Sequence, residues 1–155
     1  MLSHPQRARI PYVNAVARIR LHVALAAFTL VFTALHIAVL ATDRYAGVGW
    51  WGAVVPMGAA YRPVATTLGV VAFWSGAVAG VTALLAGRVA SRVWWPIHKV
   101  AVAALVLALL HGILGGGDTA ALTVMYAVTA LLVVGVGAHR YLARTPAESI
   151  AQPIR

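Results

Sequence analysis

The feature that most constrains this chain is a set of long apolar stretches divided by short polar or basic segments. The first stretch, 21–41, contains no charged side chain. At about 1.5 Å of helix rise per residue, it is long enough to cross about 30 Å of hydrocarbon. Comparable stretches occupy 64–87, 96–114 and 119–138. The sequence therefore predicts an all-α, polytopic membrane protein built as a four-transmembrane-helix bundle.

The composition supports the same class and excludes several others. Of 155 residues, 62% are hydrophobic and 10% are charged, which is too apolar for a soluble domain of this size. The formal charge of +9 comes from basic residues that lie between apolar stretches, so membrane topology explains it better than nucleic-acid binding does. Because the chain has no cysteine, it cannot hold a disulfide, a thiolate-bound zinc ion or an iron–sulfur cluster.

The positions of the basic residues predict the orientation of the four spans. Both termini are expected in the cytoplasm, with 1–20 as an N-terminal segment, 21–140 as the transmembrane domain and 141–155 as a tail. We expect a multi-pass protein of a cell membrane, in a bacterial inner membrane. Only Arg44 and Arg62 then lie outside, which is a clear positive-inside bias. The ten basic residues placed inside are Arg7, Arg9, Arg18, Arg20, Arg88, Arg92, Lys99, Arg140, Arg144 and Arg155.

The first connection and the second span carry recognisable signals. The loop 42–64 is long and rich in aromatic residues, so we expect it to fold back over the outer end of the bundle. Pro63 is expected in the first turn of the second span, where its missing N–H is not needed. Gly76 and Gly80 form a GxxxG pattern in that span. Such a pattern lets another helix, or a flat ring, come close.

The later spans also have predicted ends. Pro96 is expected to open the third span, which should end at the glycines that begin with Gly115. Asp118 or Thr119 is expected to cap the fourth span. In this topology the first and third spans both run from inside to outside, so they are parallel.

Four histidines lie in those two parallel spans, which is costly in hydrocarbon and needs a reason. His22 and His98 fall near the cytoplasmic end, and His36 and His111 fall near the outer end. Neutral imidazole is a good ligand for haem iron, and two of them leave the iron without a vacant position. We therefore predict two stacked b-type haems that carry electrons across the membrane, each held by a histidine from either span.

Helix periodicity places the two histidines of the first span on one face, but not those of the third span. His22 and His36 are fourteen residues apart, which keeps them within about 40° of one helix face. His98 and His111 are thirteen apart and would point about 140° from each other on an ideal helix. The prediction therefore needs a bend or a local tightening of the third span, or a rotated haem.

Two other interpretations stay open at this point. The histidines could bond only to backbone carbonyls or to one another inside the bundle, as in a purely structural membrane protein. They could instead serve a transporter or sensor for transition-metal ions or protons. Transporters place polar groups around one midplane site, whereas these histidines lie at two levels. The carboxylates Asp43, Asp118 and Glu148 all fall in loops or the tail, which disfavours a proton relay.

The chain resembles the ferric reductase-like transmembrane domain, the haem-bearing membrane part shared by ferric reductases, NADPH oxidases and their bacterial relatives. The similar stretches are LHVALAAFTLVFTALH, VVPMGAAYRP and WWPIHKVAVAALVLALLHG, within residues 20–140. The resemblance implies that His22 and His98 are the axial ligands of an inner haem b, and that His36 and His111 ligate an outer one.

The chain also departs from that family. Relatives commonly have more spans, and the reductases and oxidases add a soluble flavin and NAD(P)H domain. This sequence has no glycine-rich dinucleotide turn. We therefore expect an oxidoreductase component surrounded by lipid, which takes electrons from a separate flavin/NAD(P)H reductase or a quinol inside and delivers them to an acceptor outside. The alternative within the same chemistry is a cytochrome b anchor of a quinone-linked respiratory complex.

Overall fold

The computed structural model describes residues 9–86, 88 and 91–142, and this part of the chain is helical without any strand. The predicted all-α class is therefore confirmed. Residues 1–8 of the predicted N-terminal segment and 143–155 of the predicted tail lie outside the described residues. The helices are α1 (Arg9–Thr42), α2 (Gly49–Val54), α3 (Pro63–Leu84), α4 (Ser91–His98), α5 (Val100–Gly115) and α6 (Thr123–Leu142).

Three segments of the described chain are helical, long enough and apolar enough to cross a membrane. They are Asn14–Thr42, Pro63–Leu84 and Pro96–Gly115, and they agree with the first three predicted spans. The apolar part of α6, Thr123–His139, is shorter than these. The structure therefore supports a membrane protein with three candidate spans, and the four-span topology stays a prediction.

Helix α1 begins earlier than the predicted first span, because residues 9–20 continue the same helix. Pro11 does not interrupt it, since a proline in the first turn gives up an N–H that has no partner inside the helix. Within the apolar part, the hydroxyl groups of Thr29 and Thr33 donate to the carbonyls four residues earlier, at 2.9 and 2.7 Å. These bonds satisfy polar groups that lipid could not.

The third candidate span begins at Pro96, as predicted, but the helix that contains Pro96 starts earlier and the span is interrupted. Pro96 lies inside α4, which begins at Ser91, and Lys99 forms a turn before α5 starts. The N–H of Val102 donates to the carbonyl of Lys99 at 3.0 Å, a three-residue step tighter than an α-helix. A proline inside a helix removes one backbone hydrogen bond and favours such a break. A local tightening, one of the changes that the thirteen-residue spacing calls for, is therefore present.

Helices α3 and α5 form the closest helix pair. Small side chains on α3 let neighbouring backbones approach, which is how helices pack where no hydrophobic effect drives them together. At Gly80, an added Cβ would lie only 3.1 Å from Leu30 Cδ1 of α1, whereas nothing lies within 4 Å of one at Gly76. Half of the GxxxG pattern thus serves helix packing. The buried residues of α3 are Ala65, Val70, Ala72 and Ala79.

The loop between α1 and α3 is tied down against both helices. Its helix α2 lies against α1 and α3, and the backbone of Ala59 packs on Gly52 so closely that a Cβ there would lie 2.7 Å from Ala59 Cα. The indole Nε1 of Trp74 on α3 donates to the carbonyl of Val54 at 2.9 Å. Pro63 occupies the first turn of α3, as predicted.

The start of the fourth helix corrects a prediction. Helix α6 begins at Thr123 and not at 119. The hydroxyl of Thr119, one of the two predicted caps, donates back to the carbonyls of Ile113 and Gly116 at 2.9 and 3.2 Å. It therefore serves the end of α5, which does stop at Gly115 as the glycines predicted.

The Trp74–Val54 hydrogen bond makes the tethering of the outer loop testable. Trp74→Phe keeps an aromatic ring but removes the donor, so we expect the purified protein in detergent to lose about 1 kcal/mol of unfolding free energy. Trp50→Phe, at a ring that is 58% exposed, is the matched control and should leave it unchanged. Denaturant unfolding followed by circular dichroism measures both. Equal stability of the two variants would show that this bond does not hold the loop.

Candidate functional site

The four histidines of the two long apolar spans meet in two pairs. The rings of His22 and His98 have their centroids 6.3 Å apart with planes at 80°. The rings of His36 and His111 repeat this arrangement, at 6.3 Å and 77°. In each pair, one histidine belongs to α1 and the other to the third span. The first histidine of α1, His22, meets the first histidine of the third span, His98, and the second histidines of the two spans meet in the same way. The two spans therefore run in the same direction.

The helices that carry these rings do not pack against each other. Among the described residues, no Cα of α1 comes within 8 Å of a Cα of α4 or α5. Helices in direct contact have axes about 8–10 Å apart, so some of their Cα atoms lie closer together than 8 Å. The histidines therefore face one another across a gap between α1 and the interrupted span, with α3 beside it.

The spacing within each pair fits two ligands of one metal ion. Imidazoles that bind a metal from opposite sides, each through a nitrogen about 2 Å away, have ring centres about 6 Å apart. Rings joined by a direct hydrogen bond of about 2.9 Å would lie closer. Both pairs are at 6.3 Å, so both match the first arrangement.

The donors come in pairs and not in larger groups. In the part of the chain that the structure describes, no three His, Cys, Asp or Glu side chains gather into a metal site. A closed site made by protein alone, such as structural zinc, uses four ligands. Two facing imidazoles would instead suit a haem, whose iron takes histidine ligands and whose macrocycle would supply the remaining donors. The residues present therefore fit a haem better than a bare ion.

In the His36–His111 pair, which the predicted topology places near the outer face, the chain itself sets the tautomer of one histidine. Nδ1 of His111 lies 2.8 Å from the carbonyl oxygen of Ala65 on α3. A carbonyl oxygen can only accept, so Nδ1 must carry the proton and donate. The lone pair is then on Nε2, the nitrogen left for a metal.

The His22–His98 pair has different surroundings. Nδ1 of His98 is buried, and no hydrogen-bond partner reaches it among the described residues. The indole of Trp94, one helical turn earlier on α4, stacks on the His98 ring with centroids 5.1 Å apart and planes at 20°. The ring of His98 is thus held by stacking, and the ring of His111 by a hydrogen bond.

The last turn of α5, which follows His111, is fastened by the loop before α3. Nη1 of Arg62 donates to the carbonyl of Leu114 at 2.8 Å, and the hydroxyl of Tyr61 donates to that of Gly115 at 3.3 Å. Carbonyls at a helix end lack partners within the helix, so these side chains act as a cap. Arg62 does this from a left-handed backbone conformation with φ of 39°, which is uncommon for a residue with a side chain.

Sequence reasoning singled out all four histidines but missed their supports. Gly69 of α3 lies against the His111 ring, the backbone carbonyl of Ala65 accepts its hydrogen bond, and Trp94 stacks on His98. A backbone carbonyl carries no sequence signal at all. A glycine inside an apolar helix does carry one, since it costs helix stability, but Gly69 lies outside the GxxxG pattern.

Comparison of the chain with protein-family models, with curated proteins and with solved structures found no match. The resemblance to the ferric reductase-like transmembrane domain therefore stays a prediction that rests on the stretches quoted above. The assignment of the histidines as haem ligands stays a prediction too, and the function has to be inferred from the geometry of the two pairs.

The cap formed by Arg62 leads to a stability prediction. Arg62→Met keeps the aliphatic stem but removes the donors to the end of α5, so we expect a loss of roughly 1 kcal/mol in unfolding free energy, since the side chain is exposed. Arg44→Met, at the other basic residue of the same loop, is the control and should change it little. Denaturant unfolding in detergent compares the two, and equal values would remove the proposed cap.

Proposed function

We propose that this protein carries electrons across a membrane through two b-type haems, one held by His22 and His98 and one by His36 and His111. The observation that carries the proposal is the repeated geometry of the two pairs. Each pair has the same 6.3 Å separation, and each faces across the gap between α1 and the third span. A random placement of four histidines would not give two matching pairs at two depths.

The chain's own residues would do three things for such groups. Helix α1 supplies one ligand to each level, and α4 and α5 supply the other. The hydrogen bond to Ala65 leaves Nε2 of His111 free to ligate. A bis-histidine haem, when bound, supplies one-electron transfer without an open coordination position for a substrate. The helices around both levels are apolar, and apolar surroundings would influence the reduction potentials.

The depth of the two pairs gives the electron path its direction in space. Along α1, fourteen residues separate His22 from His36, a rise of about 20 Å. With ten of twelve basic residues and both termini on the cytoplasmic side of four spans, the His22–His98 pair lies near the inner face and the His36–His111 pair near the outer face. The donor is then a separate flavin/NAD(P)H reductase or a membrane quinol, and the acceptor lies outside.

A metal-ion or proton transporter fits the same residues less well. Transport sites lie near the midplane, where broken helices expose backbone groups to one cavity. Here the polar rings sit at two levels, and within the described ranges each level offers two imidazoles and no carboxylate. Spans without carboxylates disfavour a proton relay.

The visible spectrum tests the proposal directly. We expect the purified chain to hold about two haems b and to show a b-type reduced-minus-oxidised spectrum. His36→Ala and His111→Ala should each lose the outer haem and leave the same remaining spectrum. His22→Ala and His98→Ala should lose the inner one and leave the other spectrum. His139→Ala, at an exposed histidine of α6, is the matched control and should keep both haems.

Two outcomes of that experiment count against the proposal. A haem content near zero in the wild-type protein removes it entirely. Spectra that group His36→Ala with His98→Ala would show that the pairing across the gap is wrong, even if haem is bound.

Electron transfer across a bilayer is the functional test. Vesicles that contain the protein and trapped ferricyanide should consume the ferricyanide when dithionite is added outside, because both haems are needed in series. His36→Ala should lower the rate at least tenfold towards that of protein-free vesicles, whereas His139→Ala should not change it. Equal rates for His36→Ala and wild type would contradict an electron path through both pairs.

The same vesicles identify the donor. Adding a quinol to the membrane in place of dithionite should reduce the haems if the chain serves a quinone-linked complex. If the quinol leaves the haems oxidised, the donor is a cytoplasmic reductase.

A further inference from the structure

The two histidine pairs are alike in spacing but unlike in support, and the difference lies in α3. His111 of the outer pair rests on Gly69 and on the carbonyl of Ala65, which together are called the Gly69 cradle here. His98 of the inner pair has a buried Nδ1 that meets no acceptor among the described residues. The two ends of the space between α1 and the third span therefore differ in how the histidine of the third span is supported.

The cradle requires glycine. A Cβ at position 69 would lie 2.8 Å from Nδ1, 2.9 Å from Cε1 and 3.0 Å from Cγ of His111, so the ring would have to move. The contact at Gly115 on the other side of the ring is ordinary, with 3.6 Å from an added Cβ to Cε1. Of these two glycines, Gly69 is thus the one that is tight against the imidazole.

The helix geometry explains why the glycine and the carbonyl go together. A side chain in an α-helix leans towards the N-terminus and covers the turn before it. A side chain at position 69 would therefore cover the carbonyl of residue 65, four positions earlier. Glycine leaves that carbonyl accessible, so it accepts from Nδ1 of His111 in addition to its role in the helix. A carbonyl oxygen has two lone pairs and can accept both bonds.

A ligating histidine that donates its other N–H to a carbonyl is fixed in orientation and is a more basic ligand. A more basic ligand favours the oxidised metal and lowers the reduction potential. No such acceptor reaches His98 among the described residues, and the cation Lys99 follows it directly in the sequence, which favours the reduced state. Both differences make the reduction potential at the His36–His111 site lower than the potential at the His22–His98 site.

We infer that Gly69 is a positioning residue that admits His111 to the outer site and makes the outer haem the one of lower potential. The inference rests on the proposed function, since it assumes that both pairs ligate haem. An outer carrier of lower potential is the stronger reductant towards an acceptor on that side of the membrane.

The test compares Gly69→Ala with Gly135→Ala in the full-length purified protein. Gly135 lies in α6, and nothing is within 4 Å of a Cβ added there, so it controls for the substitution itself. Haem content, the electron paramagnetic resonance of the oxidised protein and a redox titration are measured for both. His36→Ala identifies the outer component as the one that it removes.

We expect the lower-potential component of the wild type to be the one missing in His36→Ala. Gly69→Ala should lose that component, with haem per chain falling by about half, or shift it to higher potential with altered resonance signals. The inner component should stay, which shows that the variant still folds, and Gly135→Ala should match the wild type.

Three results overturn the inference while the proposed function stands. They are unchanged signals in Gly69→Ala, loss of both components together in that variant, and a wild type in which the outer component has the higher potential. A wild type without haem is a different result, because it removes the proposed function itself.

Discussion

The space between α1 and the third span is the constraint on which the rest of the structure depends. An imidazole in hydrocarbon needs a polar partner or a metal, and the four rings lie in segments that are otherwise apolar. The backbones of the two helices that carry the rings stay apart in the described chain, and the two histidine pairs reach across between them. Helix α3 keeps this arrangement in place. It packs directly on α5 and touches α1 near Gly80, so both partners are held at the edges of one helix.

The interruption at Lys99 is what lets the third span serve both levels. A continuous α-helix would turn His98 and His111 about 140° apart, so only one of them could face α1. Pro96 and the tight turn at Lys99 change the rotation between the two histidines. Both then reach the same 6.3 Å separation from their partners on α1. The irregularity is therefore part of the site, and a straighter helix would lose one of the pairs.

Among the described residues, more side-chain hydrogen bonds lie at the end of the bundle with the His36–His111 pair than at the end with the His22–His98 pair. The loop before α3 caps α5 through Arg62 and Tyr61, and Trp74 ties the same loop to α3. The ring of His111 is bonded to the backbone, whereas His98 is held by stacking on Trp94. A rigid ligand keeps its geometry when the charge of the metal changes. The proposed outer site is thus suited to passing electrons to an external acceptor with little rearrangement.

The sequence by itself determined the all-helical class, the first three apolar spans and the four histidines, because length, hydropathy and periodicity are properties of the chain alone. It also showed that the thirteen-residue spacing needs a bend or a local tightening of the third span, or a rotated haem, although not which of them occurs. Only the tertiary structure decided that α4 begins at Ser91, that Thr119 serves α5, and that His111 rests on Gly69 and Ala65. These depend on which carbonyl or backbone surface a neighbouring helix presents, and that depends on packing between segments far apart in sequence.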